Sequence, residues 1–359
     1  MQTKNHTKFL SFFSLFERFI NDSKKGRRLQ PNGKKISCGT VRNYHYTLQL
    51  LKRFCIEKGF YLRIKPIRWL NGRELFTEKN YWKKFYKKYS DFLYTDCGFF
   101  DNYTGVAFKN IKTFFNYLNK DLALAIGDFH KSFYVRKEEI AIFPLMPEEL
   151  NYLIYNKEFE EGLSKKMKEV KDFFVFGCTV ALRFSDLAVL KQSNIRMVNS
   201  HYYLSVRSTK TETDSLVKLP PYAVEIVQRY KKPKKRLLPK FNLSNLNKFI
   251  KLLLEQAGFT HPVYISRKRR GISMEQKKEE GGTIQSYRFC DVATTHTMRR
   301  TAITTMLSLG VPEQVVRKIS GHSPSGKEFY RYVLWAQTYQ DKETEKMFDR
   351  LQEKKLEVA

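Results

Sequence analysis

The sequence predicts a mainly helical protein in two parts: an α-helical N-terminal bundle and a mixed α+β C-terminal domain, mostly helical, with a small antiparallel sheet. In the first 124 residues, apolar side chains recur at the three- and four-residue spacing of an amphipathic helix. After residue 144, helical patterns are interrupted by short segments in which apolar and polar residues alternate, as in strands. Residues 125–143 follow neither pattern and contain Gly127, which predicts an interdomain linker between domains at 1–124 and 144–359.

In the N-terminal part we expect a short aromatic-rich helix over residues 9–20 and then three helices, each with one apolar face. The expected starts of the three are Thr40, Asn80, and Asp101 or Asn102. The side chains expected to face inward are Val41, Tyr44, Leu48, Leu51, Cys55, Trp82, Phe85, Tyr89, Phe92, Phe108, Ile111, Phe115 and Leu118.

Lysines occupy the outer faces of the second and third of these helices. They are Lys83, Lys84, Lys87, Lys88, Lys109 and Lys112. Any single one fits an ordinary solvated helix surface. Together they suit contacts to a DNA phosphate backbone, which position a protein without reading sequence.

The C-terminal part combines helices with strand pairs. Expected helices start at Pro147 and cover 164–180, Ser185–Leu190, Pro221–Tyr230, Leu243–Ala257, a segment capped by Thr295, and a segment from Pro312 to Gly321. Expected strands pair His201–Ser208 with Ser215–Leu219, and Pro262–Arg267 with Gly282–Phe289. The first hairpin carries Lys210 at its tip, and the second holds the basic run Lys268-Arg269-Arg270 in its connection.

The charge of the chain favours a polyanionic partner. Among 359 residues, 66 Lys and Arg stand against 36 Asp and Glu, a net charge of +30. Nucleic acid is the leading candidate, because phosphate contacts release bound counterions. An anionic membrane is the rival, but the sequence contains neither a basic amphipathic anchor nor a long apolar span, and we expect no membrane association. A merely basic soluble protein remains the third interpretation.

Five cysteines are scattered and odd in number: Cys38, Cys55, Cys97, Cys178 and Cys290. No Cys-x-x-Cys occurs, so no structural zinc site is expected, and the pattern fits reduced thiols in a cytoplasm. The N-terminal residues also lack the pattern of a signal peptide. We therefore expect a cytoplasmic protein.

Several reactive side chains lie in short motifs that together suit phosphoryl transfer. Arg183 lies in Ala-Leu-Arg-Phe-Ser-Asp-Leu, His296 and Arg299 lie in His-Thr-Met-Arg-Arg, and His322 follows Gly321. Two arginine forks can hold the non-bridging oxygens of a phosphate. A histidine can accept a proton or hold an oxygen. A tyrosine can attack phosphorus, and Tyr330 and Tyr332 both follow the second histidine.

Each of these residues also has an ordinary structural explanation. Arg183 can pair with Asp186 at a helix start, and the histidines can cap helices or fill a core. The two tyrosines are among 21 in the chain and can simply pack. Lys210 can be a solvated turn residue, or a proton donor if nearby cations lower its pKa. Arg300 follows Arg299 directly and points about a quarter-turn away, so we assign it to the DNA backbone or to structure.

In order and spacing, these motifs resemble the tyrosine recombinase (phage integrase) family, over about 215 residues of catalytic domain. The N-terminal half resembles the family's core-binding domain in architecture and position. The C-terminal half, with a basic hairpin just before His296, resembles that of integrases of Bacteroidetes mobile elements.

The resemblance implies a role for each residue. Arg183 and Arg299 would clamp the scissile phosphate, with Asp186 supporting the first. Lys210 would protonate the leaving 5′-oxygen, and His296 and His322 would act as general base and phosphate hydrogen-bonder. Tyr332 would be the nucleophile, because Phe329-Tyr330-Arg331-Tyr332 matches the family's aromatic-x-basic-Tyr pattern, with Tyr330 as the alternative.

The resemblance further implies a homotetramer that recombines paired double-stranded DNA sites, with accessory DNA-bending proteins as possible partners and no metal or nucleotide cofactor. It also implies a bacterial protein that is associated with the nucleoid when it is bound to DNA. Residues 337–359 would dock either on a neighbouring subunit or on their own domain. Two other functions remain open: a sequence-specific DNA-binding protein without catalysis, and a type IB topoisomerase-like enzyme. The first has no need for a full set of catalytic side chains, and the second acts without pairing two sites.

Overall fold

A computed structural model describes residues 9–68, 70–207, 214–231, 236–274 and 286–357 of the chain. The described residues form two compact units. Unit 1 draws on Met1–Ile140 and Ser266–Ile284, and unit 2 on Ala141–Ile265 and Gln285–Ala359. A short stretch from the second half of the sequence thus folds with the N-terminal residues.

Unit 1 is a helical bundle around an aromatic core. Its elements are β1 (Leu10–Ser11), α1 (Phe12–Lys25), α2 (Cys38–Lys58), β2 (Arg63–Ile64), α3 (Gly72–Asp91) and α4 (Asp101–Lys120). A π-helical turn, Phe92–Asp96, continues α3, and the 3-10 turn Phe129–Ser132 follows α4. The residues predicted to face inward are buried, except that Cys55 is only half-buried, which confirms the helical periodicity.

Two predicted helix starts in unit 1 are wrong. The cap of α2 is Ser37, whose hydroxyl accepts the N–H of Thr40 at 3.2 Å, so Thr40 lies inside the first turn. Helix α3 begins eight residues before Asn80, because Asn71 and Glu74 form a reciprocal capping box that starts the helix there. In both cases a cap upstream of the apolar stripe fixes the start.

A basic hairpin completes unit 1. Its strands, Lys268–Arg269 and Ile272–Ser273, pair antiparallel, and we call the segment 267–273 the arginine hairpin. The buried carboxylate of Asp101 accepts the backbone N–H groups of Arg270 and Gly271, both at 2.8 Å. Buried Glu138 accepts the Arg267 side chain at 2.9 Å. Two carboxylates therefore hold the hairpin through backbone and side chain together.

Unit 2 is mostly helical and carries small antiparallel sheets. Its helices are α5 (Pro147–Tyr155), α6 (Lys157–Gly162), α7 (Lys165–Val180), α8 (Phe184–Leu187), α9 (Pro221–Arg229), α10 (Leu243–Gln256), α11 (Phe289–Val292), α12 (Thr295–Ser308), α13 (Glu313–Ser320) and α14 (Tyr330–Glu357). Its strands are β3 (Ile195–Val198), β4 (His201–Arg207), β5 (Asp214–Lys218), β6 (Pro262–Tyr264) and β7 (Ser286–Arg288).

The predicted strand pairs are present in unit 2. Strand β4 lies between β3 and β5, with Leu204 opposite Val217, and β6 pairs with β7. Strand β3 was not predicted. Its last three residues are all exposed, so buried and exposed positions do not alternate along it. The predicted helix Ser185–Leu190 is instead the four-residue α8, which starts one residue earlier and ends at Leu187.

The C-terminal helix α14 runs without a break from Tyr330 to Glu357. Tyr339 donates a hydrogen bond to Glu148 at 2.8 Å, and Gln340 donates to the Leu307 and Ser308 carbonyls. The first part of segment 337–359 therefore packs on its own unit. No helix among the described residues is long and apolar enough to cross a membrane.

Candidate active site

Arg299 lies at the centre of the candidate site, on the buried face of α12. Thr294 caps this helix, one residue before the predicted cap Thr295, and the side chain of Arg299 reaches into unit 2 with only 2% of the residue exposed. Its Nη1 donates to the main-chain carbonyl of Ala181 at 2.8 Å. Its Nη2 lies 3.3 Å from the ring of His322. One guanidinium thus joins α12 to two other segments of the chain.

The turn that carries Arg183 follows α7 directly. Ala181 ends α7 in the left-handed conformation with φ 56°, and Arg183 is the N-cap residue of α8 two positions later. Arg183 is half-buried, and its positive charge helps to lower the pKa of Arg299. Asp186 is 2% exposed, and its negative charge acts on Arg299 in the opposite direction. The two arginines and this carboxylate therefore share one electrostatic environment.

Two like charges in a buried site cost free energy, and Arg299 shows this. Burial is the largest cause and the charge of Arg183 the next, and together they lower the pKa of Arg299 to about 10. An anion placed between the two guanidinium groups would relieve both effects. The arrangement therefore favours binding of a phosphate.

His322 is held from two sides at the start of the loop before α14. Ser320 Oγ lies 2.8 Å from Nδ1, and the backbone N–H of His322 donates to the Arg317 carbonyl at 2.9 Å. Burial first, and then the charges of Arg299 and Arg183, lower the pKa of His322 to about 3. The ring is neutral at pH 7, so one nitrogen can accept a hydrogen bond and the other can donate one.

His296 lies in the first turn of α12, on the rim of the same group. The residue is exposed on its outer side. Loss of hydration on the protein side is the largest cause that lowers its pKa to about 4, followed by the charges of Arg300 and Arg299. His296 is therefore neutral at pH 7 and suited to accept a proton.

The two candidate tyrosines face different surroundings. Tyr332 is 7% exposed, and its ring centroid lies 5.8 Å from His322 and 5.6 Å from Phe329. Its phenolic group also acts electrostatically on Arg299. Tyr330 is 60% exposed. Two positions along a helix point in different directions, and the structure brings Tyr332, not Tyr330, to the arginines and His322.

Arg300 is half-buried in unit 2. Its Nε is buried and has no hydrogen-bond partner among the described residues. Burial is the main cause that lowers its pKa, which the negative charge of a Tyr332 phenolate would raise. The buried Nε fits the structural interpretation of Arg300, and its contact to a DNA backbone stays a prediction.

The lysines proposed for DNA binding lie in unit 1. On α3, Lys83, Lys84, Lys87 and Lys88 are exposed, as is Lys109 on α4. Lys112 is half-buried, and its ammonium donates to the carbonyls of Lys131 and Phe133 at 3.2 and 3.0 Å. Lys112 is therefore engaged in holding the chain after α4.

The proposed acid Lys210 falls outside the residues that the structure describes. Within the described ranges, no cluster of three or more His, Cys, Asp or Glu side chains could hold a metal ion.

Sequence reasoning missed three parts of the site. They are the Ala181 carbonyl, the Ser320 hydroxyl and the Arg317 side chain. The signal for Ser320 was its place directly before Gly321-His322. The signal for Arg317 was Glu313 four residues earlier, an ion-pair spacing on a helix. Nothing in the sequence indicated the Ala181 carbonyl.

Comparison with solved structures shows that this fold is similar to those of known integrases. The described fold is similar to a lambda integrase (residues 75–356) dimer bound to a COC′ core site, with 11% identity over 91% of this chain and 95% of that one and a TM-score of 0.58. It is also similar to a lambda integrase tetramer bound to a Holliday junction, with 12% identity, coverage of 90% and 81%, and a TM-score of 0.56. A third likeness is to the Tn1549 transposon integrase (residues 82–397) in complex with circular intermediate DNA, with 15% identity, coverage of 90% and 95%, and a TM-score of 0.50.

No curated protein matches the chain in sequence. A profile of the phage integrase family matches residues 148–333, more than half of the chain. The matched segment contains Arg183, His296, Arg299, His322 and Tyr332. The protein therefore belongs to the phage integrase family of tyrosine recombinases.

Proposed function

We propose that this protein is a site-specific DNA recombinase that cleaves and rejoins DNA through a 3′-phosphotyrosine intermediate at Tyr332. The observation that carries the proposal is the position of Tyr332, buried beside His322 and Arg299, in a site with a surplus of positive charge. A tyrosine in this setting can attack a phosphate that the arginines hold.

In the proposed reaction, Tyr332 Oη forms a bond to phosphorus and loses its proton to His296. The bond from phosphorus to the 5′-oxygen breaks, and the leaving oxygen takes a proton from Lys210. Arg183 and Arg299 neutralise the non-bridging oxygens, whose charge is greatest in the transition state, and His322 adds a hydrogen bond. Asp186 keeps Arg183 in place. The reverse steps, with a new 5′-hydroxyl as the attacking group, rejoin the strand.

Double-stranded DNA is the proposed partner of both parts of the chain. The net charge of +30 and the exposed lysines of α3 support phosphate contacts, and we keep Lys112 and Arg300 as weaker candidates for such contacts. We propose a core-binding domain over 1–124, a linker over 125–143 and a catalytic domain over 144–359, with the arginine hairpin of that last range folded into unit 1.

We further propose that the protein acts as a homotetramer on paired sites, as the lambda integrase tetramer on a Holliday junction suggests by analogy. Its setting would be a mobile element of Bacteroidetes, in the cytoplasm and on the nucleoid, with accessory DNA-bending proteins. The likeness of the Tn1549 transposon integrase supports the mobile-element setting.

The test uses a nicked suicide duplex made from the DNA that flanks the gene. Wild type, Tyr332→Phe and Tyr330→Phe are incubated with it in parallel, and a protein–DNA adduct that resists SDS is measured. We expect the adduct in wild type and Tyr330→Phe and its loss in Tyr332→Phe. Loss only in Tyr330→Phe would move the nucleophile to that residue. Tight binding with no adduct from any version would favour a non-catalytic DNA-binding protein.

A further inference from the structure

One arginine outside the proposed catalytic set contacts the loop that connects His322 to Tyr332. Arg317 lies on α13, with 12% of its side chain exposed. Its Nε donates to Glu313 at 2.7 Å, and its Nη1 donates to the carbonyls of Ser323 and Gly326 at 2.9 and 3.2 Å. The guanidinium carbon lies 4.2 Å from the centroid of the Phe329 ring.

These contacts fall along the loop of residues 321–329. The loop leaves α13 at Gly321, in the left-handed conformation with φ 63°, and continues through a short 3-10 turn into α14. Arg317 touches it near its start, at its middle and at its end. The backbone carbonyl of the same residue accepts the N–H of His322 at 2.9 Å. One residue of α13 thus contacts the loop at several points along its length.

The loop joins two groups that must act together in the proposed reaction. His322 lies at its beginning, and Tyr332 lies just after its end. Phe329 is fully buried between them, with its ring centroid 5.1 Å from His322 and 5.6 Å from Tyr332. The guanidinium of Arg317 packs on this ring. Displacement of Phe329 would therefore change the distance between the histidine and the nucleophile.

The contacts need an arginine. The planar guanidinium presents donors in fixed directions while its face covers an aromatic ring, and a lysine ammonium is a point charge that cannot do both. Since Nε and Nη1 already serve Glu313 and the two loop carbonyls, these donors are committed inside the protein. This distinguishes Arg317 from a lysine or arginine that serves as a phosphate contact on an open surface.

We propose that Arg317 is a positioning residue for strand cleavage: it sets the 321–329 loop so that Tyr332 and His322 meet the scissile phosphate in line. The inference rests on the proposed function. Reacting groups must be held within a fraction of an ångström of the productive geometry, and a shift of about 1 Å costs roughly a hundredfold in rate. Ser320 holds the start of the loop through His322, whereas Arg317 contacts its middle, at Ser323 and Gly326, and its end, at Phe329.

The test compares Arg317→Met and Arg317→Lys with wild type. Arg196→Met is the matched control, because Arg196 is exposed on β3 and is not among the residues proposed for catalysis or DNA binding. Affinity for the flanking duplex is measured at two salt concentrations, and the rate of adduct formation is measured in a single turnover with saturating DNA. We expect affinity and its salt dependence within about twofold of wild type, and a rate lowered about 10- to 100-fold in both Arg317 variants.

A second substrate carries sulfur in place of the bridging 5′-oxygen. A thiolate leaves without a proton donor, so this substrate removes the need for the acid and leaves nucleophile alignment as the requirement. The defect of Arg317→Lys should persist on it. A defect that disappears on the sulfur substrate would assign the residue to leaving-group protonation and overturn the proposal.

The remaining outcomes are also decisive. A wild-type rate in Arg317→Lys, or weaker binding with an unchanged saturated rate, would show that charge or DNA contact is the role of this residue. If Arg317→Met fails to fold, Arg317→Lys alone gives the answer, with Phe329→Leu as a second variant. The effects of Arg317→Lys and Phe329→Leu should not add in the double variant, because both act on one loop. No adduct from wild type would reject the proposed function itself, whereas equal adduct rates in wild type and all variants would reject only this inference.

Discussion

Replacing Arg299 with methionine should slow DNA cleavage strongly without weakening the fold. The charged residue is 2% exposed, and burial with Arg183 nearby lowers its pKa to about 10, well below the ordinary value of an arginine. This lowering is worth about 3 kcal/mol against the charged form, at 1.36 kcal/mol for each tenfold change. Because the pKa of Arg299 is lower in the folded chain than in the unfolded chain, its positive charge destabilises the fold by this full amount at every pH below about 10.

The substitution also has a cost. The carbonyl of Ala181 loses its donor, and an unpaired buried acceptor costs about 1–3 kcal/mol. Methionine is flexible enough to fill most of the space that the arginine stem occupied. The removal of the buried charge and the loss of this hydrogen bond therefore nearly cancel, or they raise the free energy of unfolding by up to about 2 kcal/mol. The adduct rate should fall about 10²- to 10³-fold, the usual effect of removing one donor to a transition-state anion.

Hydrogen exchange measures the stability of unit 2 independently of unit 1. This is needed because a chain with two units need not unfold in one step. Protection of the α7 and α12 amides at pH 7 should be equal or greater in Arg299→Met than in wild type, with Arg196→Met as the control. DNA should protect wild type more than the variant, because phosphate neutralises the buried charge only in wild type. A loss of more than about 1 kcal/mol of protection in Arg299→Met would refute the electrostatic reasoning.

Three further predictions concern stability. Asp101→Asn should destabilise unit 1 by about 2–4 kcal/mol, because an amide oxygen cannot replace a carboxylate that accepts three hydrogen bonds, and hydrogen exchange of α4 measures this. Lowering the pH from 7 toward 4 should destabilise unit 2 and lower its urea midpoint. The reason is that His322 and His296 bind protons more readily in the unfolded chain than in the folded chain. Gly177→Ala should cost about 1–3 kcal/mol in urea unfolding, because its Cβ would lie 2.5 Å from Met298 Sδ.

Each of these predictions has an outcome that would contradict it. Asp96→Asn is the control for the first, since Asp96 is exposed, and equal effects of the two changes would mean that the buried hydrogen bonds do not matter. A urea midpoint that rises on acidification would reverse the sign expected for histidines whose pKa is lowered by folding. For the third, the Gly177→Ala cost should shrink when Met298→Ala is added, and a fully additive pair would exclude the steric explanation.

The sequence alone determined the elements whose cause is local. The apolar spacing of α2, α3 and α4 placed Trp82, Phe85 and Phe108 inside unit 1, and the structure confirms it. Periodicity reports which face of a helix is buried, so this information lies within a few turns of the chain. The order of the Arg183, His296, Arg299 and His322 motifs also followed from the sequence, and with it the family.

Helix ends depended on side chains that the apolar pattern does not include. Asn71 and Glu74 begin α3 ahead of its buried stripe, and Ser37 begins α2 ahead of Thr40. These caps were visible as residue types, yet many polar residues stand near helices without capping them. Only the backbone path shows which one has a free N–H group within reach.

The tertiary structure alone decided which groups meet. Arg299 bonds the carbonyl of Ala181, 118 residues away in sequence, and no local pattern encodes that pair. The sequence around Tyr330 and Tyr332 hardly distinguishes the two as nucleophile. The packing of α14 against the rest of unit 2 buries Tyr332 and leaves Tyr330 exposed. The arginine hairpin belongs to unit 1 because buried carboxylates of that unit hold it. Residue spacing sets local conformation, whereas a site depends on distant segments that pack together, and their contacts exist only in the folded chain.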